Sequence, residues 1–322
     1  MSRTIRSRHL VVALAATTAL VLGGCGAQED PAPDTRVETD GGAGAAAPDF
    51  PVTLGSGTGQ VTIEEQPERI VSLSPSATEI LFAIGAGEQV VATDEYSTYP
   101  AEAPTTDLSG FEPNIEAIAG YEPDLVVAAN DTSELVASLE ALDIPVLLNP
   151  APPAIEEGYD GMTALGIATG RVEETDALVA DLRAEIDEAF ASAPDLEEPL
   201  RIYHELDDTF YAASSFGFIG SIYTELGADN IADEADSAKS GYPQLTEEAV
   251  IAADPQLIVI TDQVSYTASD VADRPGWDDV AAVRSDSIVT VDADIASRWG
   301  PRLPQLITAV AAAMDAAPVP VG

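Results

Sequence analysis

Short apolar runs alternate with helix-like segments through the first half of the chain. The apolar runs cover Ile70 to Leu73, Val90 to Ala92 and Val146 to Leu148. Segments with helical spacing of apolar residues lie between them, at Ala77 to Ile84 and Ser133 to Leu142. Strands that alternate with helices are typical of a parallel sheet covered by helices. The pattern therefore predicts an α/β fold.

The first of these helices carries a capping signal. Ser76 is followed three residues later by Glu79, which is the spacing of a capping box. Gly85 and Gly87 follow the apolar segment and indicate where the helix ends. We therefore expect Glu79 to lie in the first turn of this helix and to cap it.

One segment of the chain occurs twice. Glu116 to Val127 returns as Glu248 to Val259 without a gap, 132 positions later (248 − 116). In each copy a helical segment stops at an acid–Pro pair, because proline pushes the residue before it out of the helical region. The apolar run that follows is typical of a buried strand. The repeat predicts two similar lobes with a cleft between them, where small ligands usually bind.

A long amphipathic segment separates the two copies. Its apolar residues recur mostly at steps of three and four from Val172 to Ala191, which predicts one helix about 30 Å long. A second α/β run begins with the strand Arg201 to His204 and continues with strands near Phe210, Leu257 and Ile288. The predicted organisation is an N-terminal lobe over residues 61–170, a stiff bridging helix over 171–193 and a C-terminal lobe over 194–322.

The first 25 residues resemble a secretion leader. Arg3, Arg6 and Arg8 precede an apolar stretch from Leu10 to Leu22, which is too short to span a bilayer stably. The stretch ends in Leu-Gly-Gly-Cys25, which resembles a bacterial lipobox and implies a lipid-modified Cys25. Residues 26–60 are rich in Ala, Gly, Pro and Asp, which is typical of a flexible tether. Because Cys25 is the only cysteine, no disulfide can form within the chain.

The net charge excludes several classes of partner. The chain carries 13 basic and 56 acidic residues, a formal net charge of −43. Removal of the leader takes away three arginines and no acids, which leaves 10 basic residues and a net charge of −46. A surface this acidic repels nucleic acid and anionic lipid headgroups. We expect neither as a partner, and we expect most of the carboxylates to be simply solvated.

Four segments resemble one family of transport proteins. They are Pro67-Glu-Arg-Ile-Val-Ser-Leu-Ser-Pro-Ser-Ala-Thr-Glu-Ile-Leu-Phe-Ala-Ile-Gly-Ala-Gly87, Asn114-Ile-Glu116, Gly241-Tyr-Pro-Gln244 and Ser297-Arg-Trp-Gly-Pro-Arg302. Together they resemble the substrate-binding lipoproteins of ABC importers for cobalamin, iron siderophores and haem, over nearly all of residues 60 to 317. The resemblance implies two Rossmann-like lobes bridged by one rigid helix. It also implies a lipid-anchored monomer at the extracytoplasmic face of the cell membrane, with permease and ATPase subunits as partners.

The resemblance assigns a docking role to two glutamates. In the family, one glutamate on each lobe contacts arginines of the permease, and the matching residues here are Glu116 and Glu248. The internal repeat independently makes these two residues equivalent. Glu247 is an alternative to Glu248, and a plain helix-start acid that complements the helix dipole is the alternative role for both.

The resemblance also implies a set of ligand contacts in the cleft. Tyr96 matches the aromatic that contacts the corrin ring in cobalamin-binding members, and Tyr242 would face it from the other lobe. Phe111, Tyr266 and Trp299 complete the expected aromatic lining, which suits a large planar ligand. Arg298 matches a basic residue that would contact an anionic siderophore, whereas Arg302 is expected to pair with nearby acids. Because basic residues are so few, a corrinoid is expected before a ferric siderophore or haem.

The remaining candidate chemistry is sparse. His204 is the only histidine beyond the leader, so a bare zinc or manganese site is not expected. His204 is either a hydrogen-bonded strand residue or a cleft contact, including an axial ligand to cobalt or iron. No Gly-x-Ser-x-Gly motif or phosphate-binding loop indicates an enzyme, and we expect neither a catalytic residue nor an intrinsic cofactor. A lipid-anchored ligand sensor is the other alternative to an importer component.

Overall fold

The computed structural model describes residues 48–57 and 59–317. The predicted leader, the lipobox with Cys25 and the first part of the predicted tether lie outside the described residues. All described residues belong to one compact unit, Gly44–Gly322. None of the helices within this described part is long and apolar enough to cross a membrane.

An antiparallel hairpin precedes the first lobe. It consists of strands β1 (Val52–Ser56) and β2 (Gly59–Ile63). Val61 and Ile63 are buried in the apolar core, because alternate residues of β2 face the lobe. The prediction of a flexible tether over residues 26–60 is therefore wrong where this range overlaps the hairpin. The hairpin has few apolar residues, but they are regularly spaced.

The first lobe contains a sheet of five parallel strands. They are β3 (Ile70–Leu73), β4 (Val90–Asp94), β5 (Thr105–Leu108), β6 (Leu125–Ala128) and β7 (Val146–Leu148). Their order in the sheet is β5-β4-β3-β6-β7. Every residue of β3 and β6 is buried, as expected for central strands covered on both faces. The three strands predicted from apolar runs are confirmed.

Four helices accompany this sheet, and the start of the first one corrects the sequence analysis. They are α1 (Pro75–Ala83), α2 (Ile115–Ala119), α3 (Leu135–Glu140) and α4 (Ile155–Thr169). The predicted capping box is wrong, because the Ala77 N–H donates to the Ser74 hydroxyl at 3.3 Å. Glu79 is instead only 3% exposed and binds two arginines of the other lobe. Helix α3 is shorter than predicted, because Ser133 and Glu134 adopt positive φ angles.

A single helix of 20 residues, α5 (Val172–Ala191), joins the two lobes. Its bounds confirm the helix predicted from the amphipathic spacing. Leu182 and Ile186 are buried on the face that the spacing indicated, while the first turn carries Glu173 and Glu174. These acids complement the positive end of the helix dipole.

The second lobe contains four parallel strands in the order β11-β10-β8-β9. The strands are β8 (Arg201–His204), β9 (Asp229–Asn230), β10 (Leu257–Thr261) and β11 (Ile288–Val291). The strand predicted near Phe210 is wrong, since Phe210 has a φ of 66° and Tyr211 makes only an isolated bridge with Gln244. The short strand β9 takes the edge position instead.

The helices of the second lobe complete a core that is continuous between the lobes. They are α6 (Phe218–Glu225), α7 (Glu247–Ala253), α8 (Ala268–Ala272), α9 (Ala281–Arg284), α10 (Ala293–Ala296) and α11 (Leu303–Ala316). Helix α5 packs against both α4 and α11. One apolar cluster therefore extends from Ile70 in β3 through Leu182 in α5 to Met314 in α11. This shared packing supports a rigid relation between the lobes, in place of a free hinge.

Candidate ligand-binding cleft

The carboxyl ends of the two parallel sheets border two adjoining cavities, as expected for ligand sites of α/β folds. The first, of about 470 Å³, lies between the lobes and is called here the aromatic cavity; its lining includes Ser74, Pro75, Tyr96, Phe111, Asn149, Pro150, Asp294, Arg298 and Trp299. The second, of about 440 Å³, belongs to the second lobe and is called the histidine cavity; its lining includes His204, Asp207, Asp208, Ile219, Tyr266 and Ala296. Gln263 and Ser297 line both cavities, so the two form one cleft.

A larger surface depression lies at the amino ends of the first sheet. Its volume is about 710 Å³, and six of its lining residues are acidic: Glu64, Glu65, Glu68, Asp124, Glu140 and Asp143. Despite its size we do not assign the ligand site there, because parallel sheets present their ligand-binding loops at the carboxyl ends of the strands.

Two aromatic side chains form the first lobe's face of the aromatic cavity. The rings of Tyr96 and Phe111 pack edge to face with their centroids 5.8 Å apart. Tyr96 is 47% exposed and Phe111 is 70% exposed, so both offer ring surface to the cavity. Exposed rings in a cleft provide apolar contact area at little cost in side-chain entropy. The structure thus brings together two of the predicted ligand contacts.

A buried network of hydroxyl groups positions the loop that carries Tyr96. Ser97 Oγ donates to Asp94 Oδ1 at 2.5 Å and also contacts the Thr78 hydroxyl, which donates to Ser72 Oγ at 2.8 Å. Burial raises the pKa of Asp94, and the bonds from Ser97 partly offset this effect. The network links β3, α1 and β4, so Tyr96 is held by the sheet and not by a free loop.

A cluster of charged residues joins the lobes beneath the aromatic cavity. This interlobe cluster consists of Glu79, Asp294, Arg298 and Arg302. Arg302 donates to both carboxylate oxygens of Glu79, at 2.5 and 2.9 Å, and Arg298 donates to Glu79 Oε1 at 3.2 Å. Arg298 also donates to Asp294 Oδ1 at 2.6 Å and to the Tyr96 carbonyl oxygen at 2.8 Å. The predicted structural role of Arg302 is confirmed.

The interlobe cluster changes what Arg298 offers a ligand. Arg298 lines the aromatic cavity, but the residue is only 7% exposed, and its guanidinium donates to three protein oxygen atoms. The predicted contact between Arg298 and an anionic ligand stays a prediction, with much of the guanidinium already used. The loop of Tyr96 is also bonded directly to the second lobe through this residue.

Trp299 lies mostly in the core. It borders the aromatic cavity but is only 4% exposed, and its ring packs edge to face against Tyr159 and Phe218 at 5.3 and 5.8 Å. Gly158 makes this packing possible, because a Cβ at that position would come within 2.0 Å of the indole ring. Trp299 thus contributes to the packing between α4 and α6 more than to the surface of the cavity.

The histidine cavity contains two of the predicted contacts, His204 and Tyr266. Tyr266 packs over the guanidinium of Arg274, which forms a two-point ion pair with the fully buried Glu205 at 2.7 Å. Burial raises the pKa of Tyr266, so its phenol is neutral at pH 7. Asp207 and Asp208 line the same cavity, which is therefore more polar and more acidic than its neighbour.

Tyr242 is not among the described lining residues of either cavity. It is 48% exposed and lies on a loop that Asp236 organises by accepting the N–H groups of Ser240 and Gly241, both at 2.8 Å. Desolvation raises the pKa of Asp236. The hydrogen bonds from these two N–H groups and from the Ser214 hydroxyl outweigh it and lower the pKa to about 2. The predicted position of Tyr242 opposite Tyr96 stays a prediction.

Glu116 and Glu248 occupy equivalent places in the two lobes. Both are exposed, in the first turns of α2 and α7. The N-cap side chains, Asn114 and Thr246, each accept the N–H three residues on, at 3.1 and 3.2 Å. The structure also separates Glu248 from its neighbour Glu247, whose Oε1 accepts the Trp277 indole N–H at 3.0 Å.

The equivalence extends beyond the repeat that is visible in the sequence. Arg69 donates to the carbonyl oxygens of Tyr121 and Glu122, and Arg201 donates to those of Ala253 and Asp254. The two arginines are again 132 positions apart (201 − 69). The acids before the prolines, Glu122 and Asp254, have φ angles of 50° and 48°. Each helix-to-strand turn is therefore held by an arginine at or immediately before the start of the strand that pairs with the strand after the turn.

Sequence reasoning missed several residues of the cleft. Gln263, Asp207 and Asp208 line the histidine cavity or both cavities, and none was predicted. Each follows the carboxyl end of a strand by two to four residues, at β10 and β8. The position of these polar residues after predicted strands was the available signal, because such loops form the ligand site of a parallel sheet.

Known proteins are similar to this chain in sequence and in fold. The sequence model of a family described as "Periplasmic binding protein" matches residues 70–295. The "Uncharacterized ABC transporter substrate-binding lipoprotein YvrC" of Bacillus subtilis (strain 168) is 31% identical over 88% of this chain and 90% of its own length. A "Cobalamin-binding protein" of Halobacterium salinarum is 30% identical over 91% and 80% of the two chains. The solved structure of the "Periplasmic heme-binding protein RhuT" from Roseiflexus sp. RS-1 superposes with a TM-score of 0.68 at 28% identity, over 78% of this chain and all of its own.

Proposed function

Because the chain belongs to the periplasmic binding protein family, we propose that it captures a small ligand outside the cytoplasm and delivers it to an ABC importer. The observation that carries the proposal is the cleft at the carboxyl ends of two parallel sheets, together with an exposed glutamate in an equivalent first turn on each lobe. The similarity to a substrate-binding lipoprotein of an ABC transporter over most of both chains supports it. The protein's task is binding, while ATP hydrolysis on partner subunits drives transport.

The ligand proposed is a corrinoid. Tyr96 and Phe111 offer ring surface to one face of a large rigid molecule, and Pro75 and Pro150 add further apolar contact. The cationic residue of this cavity, Arg298, is occupied by protein oxygens, and the whole chain is strongly acidic. These features favour a ligand without a large negative charge over a ferric siderophore. The similarity to a cobalamin-binding protein supports this choice.

Haem is the second candidate, favoured by the structural similarity to RhuT. A titration separates the two. The full chain is titrated with cyanocobalamin, dicyanocobinamide, haem and a ferric siderophore, and the fluorescence of Trp277 and Trp299 is followed. Submicromolar binding of the corrinoids supports the proposal. Tight binding of haem or of the siderophore without corrinoid binding contradicts it.

The proposed contacts with the permease are Glu116 and Glu248. Neither carboxylate forms a hydrogen bond or ion pair within the described residues, in contrast to Glu247, which accepts from Trp277. Two exposed charges of one sign on separate lobes can orient the protein on a basic partner. We expect the double variant Glu116→Ala/Glu248→Ala to lose ligand uptake by cells while its Kd for the ligand changes less than twofold.

The matched control for this experiment is the double variant Glu157→Ala/Glu173→Ala. Both control residues are exposed acids in the first turns of helices, α4 and α5, so their loss removes the same helix-dipole contribution. Equal uptake loss in the control, or lost ligand affinity in the first variant, would contradict the docking role.

The proposed attachment to the membrane is a lipid on Cys25, at the extracytoplasmic face. It rests on the lipobox-like segment and on the lipoprotein to which the chain is similar. Metabolic labelling with a radioactive fatty acid should mark the wild type and not the Cys25→Ser variant. A ligand sensor would share this attachment, and loss of uptake in a strain without the permease distinguishes import from sensing.

A further inference from the structure

His204 has one ring nitrogen bonded and one unbonded. It ends strand β8, is fully buried, and its Nδ1 contacts the hydroxyl group of Tyr223. Within residues 48–57 and 59–317, its Nε2 contacts no hydrogen-bond donor or acceptor. A buried polar atom that lacks a partner costs about 1–3 kcal/mol of folding free energy, so such an atom in a cleft suggests a ligand contact.

The contact with Tyr223 determines which nitrogen carries the proton. Tyr223 is itself fully buried, and its hydroxyl hydrogen needs an acceptor. His204 Nδ1 is the polar atom that contacts this hydroxyl group among the described residues, so we assign Nδ1 as the acceptor. Burial lowers the pKa of His204 to about 4, so the imidazole is neutral at pH 7 and has one N–H. That N–H is therefore on Nε2, which makes Nε2 a donor without a matching acceptor.

The alternation of strand β8 directs this imidazole toward the histidine cavity. His204 and Ile202 face the same side of the sheet, on which helix α6 packs with Ile219 and Tyr223. Ile219 and His204 both line the histidine cavity, as does Ala296 of α10. The residue that carries the unmatched donor thus borders the cavity, while the Nε2 atom itself is buried.

The charges of the histidine cavity restrict what can accept this hydrogen bond. Asp207 and Asp208 line it, and its described lining includes neither lysine nor arginine. Hydrogen bonds from Thr209 and Tyr211 outweigh desolvation and lower the pKa of Asp207, so its carboxylate is ionised at pH 7. A ligand carboxylate would be repelled here. A neutral carboxamide fits, because it has one carbonyl acceptor and two N–H donors.

We propose that the histidine cavity binds a neutral carboxamide of the ligand, whose carbonyl oxygen accepts the Nε2–H of His204 and whose amide nitrogen donates to Asp207 or Asp208. The inference rests on the proposed function and narrows it. A corrinoid carries several peripheral carboxamides, whereas the polar groups of haem are carboxylates. The cleft would then bind the macrocycle face in the aromatic cavity and one amide arm in the histidine cavity.

The test compares two corrinoids that differ in this group. Dicyanocobinamide carries amides, and dicyanocobyrinic acid carries carboxylates at the same positions. With the full chain we expect the cobinamide to bind at least 10-fold more tightly. His204→Leu should weaken cobinamide binding about 3- to 10-fold, as expected for one lost hydrogen bond, and should leave binding of the acid unchanged.

Two further variants separate a direct contact from a packing effect. His204→Gln retains an N–H donor near the position of Nε2 and should recover part of the lost affinity. Thr93→Val is the matched control, because the Thr93 hydroxyl is also buried without a partner in the described part of the chain but lines neither cavity. Its affinity for cobinamide should equal that of the wild type.

If a His204 variant does not fold, NMR of the wild-type protein tests the same contact. The chain has two histidines, His9 and His204, so ¹⁵N-histidine NMR spectra are simple. Cobinamide should shift the Nε2–H signal of His204 downfield while the proton stays on Nε2.

Each outcome bears on the inference. Tight cobinamide binding that is unchanged in His204→Leu, or equal binding of the amide and the acid, would overturn the carboxamide contact and leave the corrinoid proposal standing. Haem binding without cobinamide binding would overturn both. Weakened binding in His204→Leu, recovery in His204→Gln and an unchanged Thr93→Val support the contact.

Discussion

The two lobes are built on equivalent strand-and-helix frames but contribute different surfaces to the cleft. The first lobe presents exposed rings, Tyr96 and Phe111, above a buried network of hydroxyl groups. The second lobe presents His204, Asp207 and Asp208 around the histidine cavity. Their frames nevertheless share three features at the same 132-residue spacing: the N-cap of the repeat helix, the arginine that holds the turn after it, and the acid with a positive φ angle before the proline. The turn geometry is thus common to both lobes, and the loops after the strands carry the difference.

This difference indicates a ligand with two kinds of surface. Flat aromatic contacts gain free energy from apolar area and tolerate many ligands, whereas buried polar groups reject ligands that leave them unpaired. We infer that the first lobe supplies most of the affinity and the second most of the selectivity. Four experiments probe the two lobes and the contact between them, from the largest expected effect to the smallest; the last two test this division.

The largest effect is expected where the two lobes are joined. Arg298→Leu leaves the buried Glu79 with Arg302 alone and removes the bond to the Tyr96 carbonyl, so we expect the free energy of unfolding to fall by about 3 kcal/mol in urea denaturation. Arg183→Leu, which breaks an exposed pair with Glu156, should cost about 1 kcal/mol or less. Equal losses would contradict a rigid contact between the lobes.

The next effect concerns the pH dependence of stability. The pKa of His204 is about 4 in the folded protein, below its ordinary value of 6.5. The unfolded chain therefore takes up a proton that the folded chain does not. The free energy of unfolding consequently falls as pH falls through 6.5 toward 4. The expected contribution is about 2 kcal/mol between pH 7 and pH 5.

This contribution is measured as a difference between proteins, because many carboxylates also titrate in this range. The wild type and His204→Leu are unfolded in urea at pH 7 and pH 5. The variant should lose about 2 kcal/mol less than the wild type over this interval. Parallel losses would show that His204 is not the group responsible.

A smaller effect is expected on affinity from the aromatic side. Tyr96→Ala removes ring surface from the aromatic cavity and should weaken corrinoid binding about 10-fold. Tyr242→Ala is the matched comparison, since Tyr242 has nearly the same exposed fraction but lies outside the described linings of both cavities. The described linings predict a change below twofold for it, whereas the contact that the resemblance implies for Tyr242 predicts a loss like that of Tyr96→Ala. Equal losses would place the ligand against Tyr242 as well, as the sequence resemblance implies.

The smallest effect is expected from one charge on the polar side. Asp208→Asn removes a carboxylate from the histidine cavity without changing the size of the side chain. Binding of a carboxylate-bearing ligand such as haem or cobyrinic acid should improve about two- to threefold, and the gain should shrink in high salt. Binding of cobinamide should not improve, and an equal gain for both ligand types would contradict charge selection.

Most of the fold could be predicted from the chain. Four of the five strands in the sheet of the first lobe, the strand at Arg201, the two copies of the repeat and helix α5 have strong periodic or proline signals, and all are present. Strand β5 (Thr105–Leu108) was not predicted. The errors share one cause, which is that burial depends on distant residues. The hairpin at Val52–Ile63 has a composition typical of a tether but packs on the lobe, and the segment near Phe210 is apolar but turns.

The cleft could be predicted only in part. Tyr96, Phe111 and Tyr266 line its cavities, in agreement with the predicted aromatic lining. His204, for which the sequence left a strand residue and a cleft contact open, is both the last residue of β8 and part of a cavity lining. The fit of Trp299 between Tyr159 and Phe218 depends on three helices and could not be predicted. The contacts of Arg298 and the exposed position of Tyr242 likewise depend on how two lobes meet.

The sequence by itself determined most of the local elements and the two-lobe repeat, because these depend on spacing within short segments, and its four motif segments resemble one family. Only the tertiary structure decided the role of Glu79, which forms a capping pattern with Ser76 in the sequence yet pairs with Arg298 and Arg302 more than 200 positions away. It also decided that, among the residues 48–57 and 59–317, one nitrogen of His204 is bonded and the other has no partner. The physical reason is that a buried charge or donor is stabilised by whichever partners surround it, and these come from distant parts of the chain.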